Sequence, residues 1–159
     1  MNESADWREI VASALDWEQA HVGLDRAIDD LPSELRGRQP DGAPYSIWQQ
    51  LEHIRLAQLD LLDFCRNPEY EHRLNWPDDY WPTKAEPPSA KAWDESLAAI
   101  RRDRDELKRW TAEADVDLTQ PIPWGSGQTY LRTVLVAADH AAYHVGQIVL
   151  IRKLLGAWG

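Results

Sequence analysis

The most constraining stretch of this chain is Thr133–Ile151. It is long and apolar enough for a membrane span, yet it carries Asp139, His140, His144 and Gln147 near its middle. Each of those side chains is expensive in hydrocarbon, so the segment reads as a buried helix of a soluble protein rather than a span. The full helix is expected from about Thr129 to Leu155, with Gly156 where a C-cap glycine belongs. From Val134 to Leu155 it is apolar nearly all round, so it is either the central helix of a bundle or a subunit interface.

Three further amphipathic stretches surround it. The first is expected from about Asp6 to Asp30, where Ile10, Ala14, Trp17, His21, Leu24 and Ile28 recur at steps of four and three and form one apolar stripe. It stops before Leu31-Pro32. The second starts after Ser46, a good N-cap, and reaches about Arg66 before Asn67-Pro68; Ile47, Leu51, Ile54, Leu61 and Phe64 form its inner side. The third follows Pro87-Pro88-Ser89 and runs to about Glu113, with Trp93, Leu97, Ile100, Leu107 and Trp110 on one face. Its Arg101, Arg102 and Arg104, interleaved with Asp103 and Asp105, read as a solvated face.

Four amphipathic helices in 159 residues predict one all-α domain, 1–159, built as a four-helix bundle. The connector 67–88, with five prolines and Trp76, Tyr80 and Trp81, is too long for a tight helical hairpin. At roughly 3.3 Å per residue it is long enough to recross a helix and let helices 2 and 3 run parallel. The second connector, 114–128, is expected to turn a small hairpin at Gly125-Ser126-Gly127.

Charge narrows the partners. The formal net charge is −10 and no run of Lys/Arg forms a basic face, which argues against nucleic acid and anionic membrane. Residues 1–15 show no secretory apolar core, and the single cysteine, Cys65, rules out an internal disulfide; both suit a cytoplasmic protein.

The chemistry centres on histidine. His140 and His144, one helical turn apart, project from one face and can share a divalent ion. The competing reading is two polar residues satisfied by hydrogen bonds; burial on an apolar helix tips the balance, because a metal offsets the cost of desolvating imidazole. A third ligand must come from another helix. His53 is the best placed, although its position taken alone fits a boundary histidine with one nitrogen in water slightly better. His21, on the inner stripe of helix 1, is an extra ligand, a proton shuttle or a core residue, and the last fits best. His72 is expected to be exposed. Tyr143 and Gln147 either line a pocket or pack within the core, and the Trp76-Tyr80-Trp81 connector either lids the site or packs as a stiff flap. Cys65 reads as a buried small residue.

Ser46-Ile47-Trp48-Gln49-Gln50-Leu51-Glu52-His53-Ile54 resembles the second-helix signature of the DinB-like (YfiT-like) superfamily, and Asp139-His140-Ala141-Ala142-Tyr143-His144-Val145-Gly146-Gln147-Ile148 matches its last-helix signature. The resemblance covers nearly the whole chain. It implies an up-down-down-up bundle with a long crossover between helices 2 and 3, often a homodimer. It also implies a metal site formed by His53, His140 and His144, holding zinc or nickel. Relatives include S-transferases and isomerases that use low-molecular-weight thiols, while many members have no assigned activity. The expectation is therefore a metal-dependent thiol transferase, or a related hydrolase or isomerase, acting on a small molecule. The alternative is a non-catalytic metal-binding or dimeric stress-response scaffold. Catalytic residues beyond the ligands are not legible.

Overall fold

A computed structural model describes residues 3–113 and 115–159. Its elements are α1 (Glu3–Ser13), α2 (Leu24–Ile28), α3 (Ile47–Arg66), α4 (Ala90–Ala112) and α5 (Tyr130–Leu154), with 3-10 turns at Ser33–Leu35 and Asp78–Tyr80. Among the described residues there is no β-strand, only an isolated antiparallel bridge between Pro121 and Thr129. That bridge closes the expected small turn: Ile122 N–H donates to Gln128 O at 2.8 Å, and Gly127 carries the positive φ of 104°.

The starts of the three long helices follow from their caps. Ser46 Oγ accepts from Gln49 N–H while the Gln49 side chain accepts from Ser46 N–H, a reciprocal capping box. Ser89 and Thr129 cap α4 and α5 with a single side-chain bond each, accepting from Ala92 N–H and Arg132 N–H. Beyond α5, Gly156 takes up the left-handed conformation at φ 69°. Arg152, buried near that end, donates to Ala27 O and Asp29 O at 2.9 and 2.7 Å. Its charge thus meets the free carbonyls at the end of α2 and ties the two helices together.

The first expected helix is corrected. In place of one helix over 6–30, the chain leaves α1 at Ser13, loops through 14–23 and forms only the short α2. The loop satisfies its own polar groups: Glu18 Oε1 accepts from Gly23 N–H at 2.8 Å, and Asp16 pairs with Lys108 Nζ at 2.7 Å. The expected stripe holds only at its end: Leu24 and Ile28 are buried, but Ile10, Trp17 and His21 are exposed, and Ala12, Leu15, Ala27 and Leu31 supply the rest of the buried face. The charged face of α4 is corrected in part. Asp103 is buried beside Arg102, and Arg104, mostly buried, pairs with Asp25 at 3.2 Å.

Helix α3 lies between α4 and α5. Ile54, Ile100 and Ile148, one from each helix, are almost wholly buried. Each such side chain contributes about 1.5–3 kcal/mol relative to exposure. By length and mean hydropathy (1.4) α5 qualifies as a candidate membrane span, but here it packs along α3 and α2. The connector after α3 is strapped to that helix. Tyr80 is buried and its hydroxyl donates to Asp60 Oδ2 at 2.8 Å; Tyr70 donates to Asp60 Oδ1 at 3.0 Å; Gln49 Nε2 donates to Pro82 O at 2.9 Å. This strap decides what covers the histidines.

Candidate metal centre

His53 comes from α3, and His140 and His144 come from α5 one turn apart. One nitrogen from each ring lies within 4.8 Å of the other two. His53 and His144 are buried and His140 is half-buried.

Fixed acceptors set two of the three tautomers. A carbonyl oxygen can only accept, so His53 Nδ1–H donates to Tyr80 O at 3.0 Å. His144 Nδ1–H donates to Gln50 Oε1 at 2.7 Å. Both rings therefore turn an Nε2 lone pair inward. His140 Nε2 stands 2.9 Å from His53 Nε2 and donates its proton to that lone pair.

The rings are also held as planes. Trp81 is sandwiched, stacking on His53 at 3.8 Å and 5° and on Tyr45 at 3.8 Å and 8°. Trp76 approaches His53 at 5.6 Å and His140 at 5.9 Å, and Tyr143 sets its ring 4.9 Å from His144. Trp76 and Tyr143 are both exposed, so they form the rim.

Burial keeps the cluster neutral. It depresses His53, with the bond to Tyr80 O opposing; it pushes His140 down to about 4, helped by His53 and opposed by Asp139; and it pushes His144 down to about 3, helped by His140 and His53. Neutral imidazole is the form that binds borderline divalent metals. Nitrogens at about 2.1 Å from one tetrahedral ion stand roughly 3.4 Å apart. The 2.9 Å pair would have to part by about 0.5 Å, and His140 would have to move its proton to Nδ1. Both adjustments are small, so the donor set fits a divalent ion.

The expected site residues divide. His53, His140 and His144 meet; His21 does not. It lies exposed in the 14–23 loop, its Nδ1 2.9 Å from Val22 O, beside a separate small cavity under α4 and α5. It left the core because the helix meant to carry it ends at Ser13. His72 is exposed, as expected, and contacts Tyr70. Cys65 is buried and its thiol is pushed up to about 12, which removes it as a nucleophile. The amide that reaches a site histidine is Gln50 rather than Gln147. Sequence reasoning missed that role, although Gln50 lies three residues before His53 and so shares its helix face. Nor did it foresee Tyr45, which precedes α3 and becomes relevant only through Trp81.

A helical bundle that gathers three neutral imidazoles from two helices, each backed by an acceptor or an aromatic face, defines a class of proteins able to hold one divalent ion. Residues 16–148 match the DinB superfamily, and the chain belongs to it. Comparisons with curated proteins and with solved structures gave no match.

Proposed function

We propose that His53, His140 and His144 bind one divalent ion, zinc or nickel, with a coordination position left open toward the Trp76–Tyr143 rim, and that the site serves a metal-dependent enzyme. The observation that carries this reading is the pair of fixed tautomers: Tyr80 O and Gln50 Oε1 each hold a histidine with its Nε2 lone pair facing the cluster. Three neutral ligands and a remaining position are the donor arrangement of catalytic rather than structural zinc. Lewis acidity toward a thiol or water is what a bound ion supplies there. The chain's own part is to orient the imidazoles, to keep them unprotonated, and to exclude water from the Trp81 side. The reaction that fits best is transfer of a low-molecular-weight thiol to a small electrophile, or a related hydrolysis or isomerisation. The bundle is read as up-down-down-up, with the strapped connector as its crossover.

Elemental analysis of protein purified without a histidine tag tests the metal; a ratio near one zinc or nickel per chain is expected, and no bound metal refutes the reading. A screen of small thiols with electrophiles tests turnover. A second reading, a dimeric metal-binding scaffold without turnover, draws support from α5. Leu135, Tyr143, Leu150 and Leu154 are all exposed and recur at near-helical spacing, a face suited to a second copy. Sedimentation equilibrium of wild type and Leu150→Glu separates dimer from monomer, and a thiol screen without turnover on a metal-loaded dimer would favour the scaffold.

A further inference from the structure

Beside the histidines lies a groove of about 690 Å³, within the range of small-molecule sites. Trp76 lines it, and the same indole stands 5.6 Å from the His53 ring and 5.9 Å from the His140 ring, so one side chain borders both the groove and the cluster. Phe64 and Tyr70, Trp124 from the small turn and Arg132 of α5 also line it. Arg132, Val136 and His140 follow one another at four-residue steps along α5, which places Arg132 about 12 Å from His140 on the same face.

The wall's polar groups are mostly spent on each other. Asp60 accepts from both Tyr70 and Tyr80, Trp124 Nε1–H donates to Phe64 O at 2.7 Å, and Gln128 Oε1 accepts from Ser126 N–H. The Arg132 guanidinium is different. It is exposed, lines the groove, and has no hydrogen-bond or ion-pair partner among the described residues. In a chain of net charge −10, a free guanidinium at the end of an aromatic trough is a selective feature. Its planar fork matches a carboxylate.

We propose that this groove is the substrate site and takes an elongated aromatic or similarly flat carboxylate, its anion on Arg132, its body against Trp76 and Trp124, and its far end at the three histidines. Only the statement that chemistry happens at that far end rests on the metal-enzyme reading; the binding does not. Asp60 stands in the wall, but its two tyrosine hydrogen bonds spread its charge, and Asp139 of α5 lines a neighbouring surface hollow with Arg132 rather than this groove. An anion is therefore directed to the Arg132 end.

Isothermal titration with biphenyl-4-carboxylate and with neutral biphenyl-4-methanol tests this on wild type, Arg132→Gln, Trp76→Ala and the His140→Gln/His144→Gln double variant. Wild type should prefer the carboxylate by about tenfold, the worth of one charge-assisted contact at a partly exposed site. Arg132→Gln should erase that preference and leave the alcohol's affinity unchanged. Trp76→Ala should weaken both compounds, and the double histidine variant should retain the preference. Failure of either compound to bind wild type, or an unchanged carboxylate affinity in Arg132→Gln, would overturn the proposal. So would loss of the preference in the histidine variant alone, since the anion would then sit at the histidines. Absence of metal on elemental analysis would defeat the enzyme reading and leave this binding pattern as predicted.

Discussion

Acid should destabilise the metal-free protein through its site histidines before it reaches the carboxylates. In the folded chain His140 and His144 are held to about 4 and 3, and His53 is lowered as well; in the unfolded chain each returns to about 6.5. Below pH 6.5 the unfolded state therefore binds more protons than the native one, and stability must fall as pH falls. Each histidine so held contributes a slope of at most about 1.4 kcal/mol per pH unit. His144 is buried and approaches that limit, whereas solvent reaches half-buried His140 and reduces its share. Together the cluster should remove roughly 1.5–2.5 kcal/mol per unit between pH 6 and pH 4.5. Carboxylates with depressed values, Asp25 and Asp117, begin to take up protons in the unfolded chain only near the lower edge of this window, so most of the slope above about pH 5 belongs to the histidines. The assay is urea unfolding of chelator-treated protein at half-unit steps of pH, with the His140→Gln/His144→Gln variant as the reference. The variant's stability should be much flatter across the window. Parallel curves for wild type and variant would refute the reasoning, because the acid sensitivity would then reside elsewhere.

Other outcomes follow from single contacts. Gln50→Leu removes the acceptor of His144 Nδ1–H with little change of volume, and should weaken metal binding about 10–100-fold in competition with a chromophoric chelator; unchanged affinity would take Gln50 out of the site. Trp81→Ala removes the ring between Tyr45 and His53, and should cost about 2 kcal/mol in urea unfolding while shifting the His53 ring signals in NMR spectra. Cys65, 2% exposed with its thiol pushed up to about 12, should resist an aromatic disulfide reagent at pH 8 until urea is added. Rapid labelling of the native protein would mean that the end of α3 opens readily.

Local signals made much of this fold legible. Ser46, Ser89 and Thr129 are side-chain caps, and caps act within three residues, so the starts of α3, α4 and α5 fell within one residue of expectation. The spacing of His140 and His144 is likewise a local property of one helix, and their shared face was readable. Helix α1 stops short of the length its periodicity suggests because Asp16, Glu18 and Gly23 break the pattern. Those residues end the helix by pairing with α4 and with their own loop. The convergence of His53 with the α5 pair came from family resemblance rather than from spacing, since no rule of sequence interval sets how α3 meets α5. Trp81 and Tyr80 were visible as an aromatic cluster, but their contact with His53 depends on where a 22-residue connector is strapped down. That is decided by Asp60, Gln49 and the buried Tyr80 together.

The two acceptors that orient the histidines differ in how evolution can reach them. Gln50 is a side chain, so one base change can delete the hold on His144. The partner of His53 is the main-chain oxygen of residue 80, which every amino acid supplies. Substitutions at that position leave the acceptor in place unless they shift the path of the strap. The orientation of His53 is thus inherited with the course of the connector that Tyr80 and Trp81 hold in place, whereas Trp76, exposed at the rim, can drift in identity and reshape the entrance without unseating the ring beneath it.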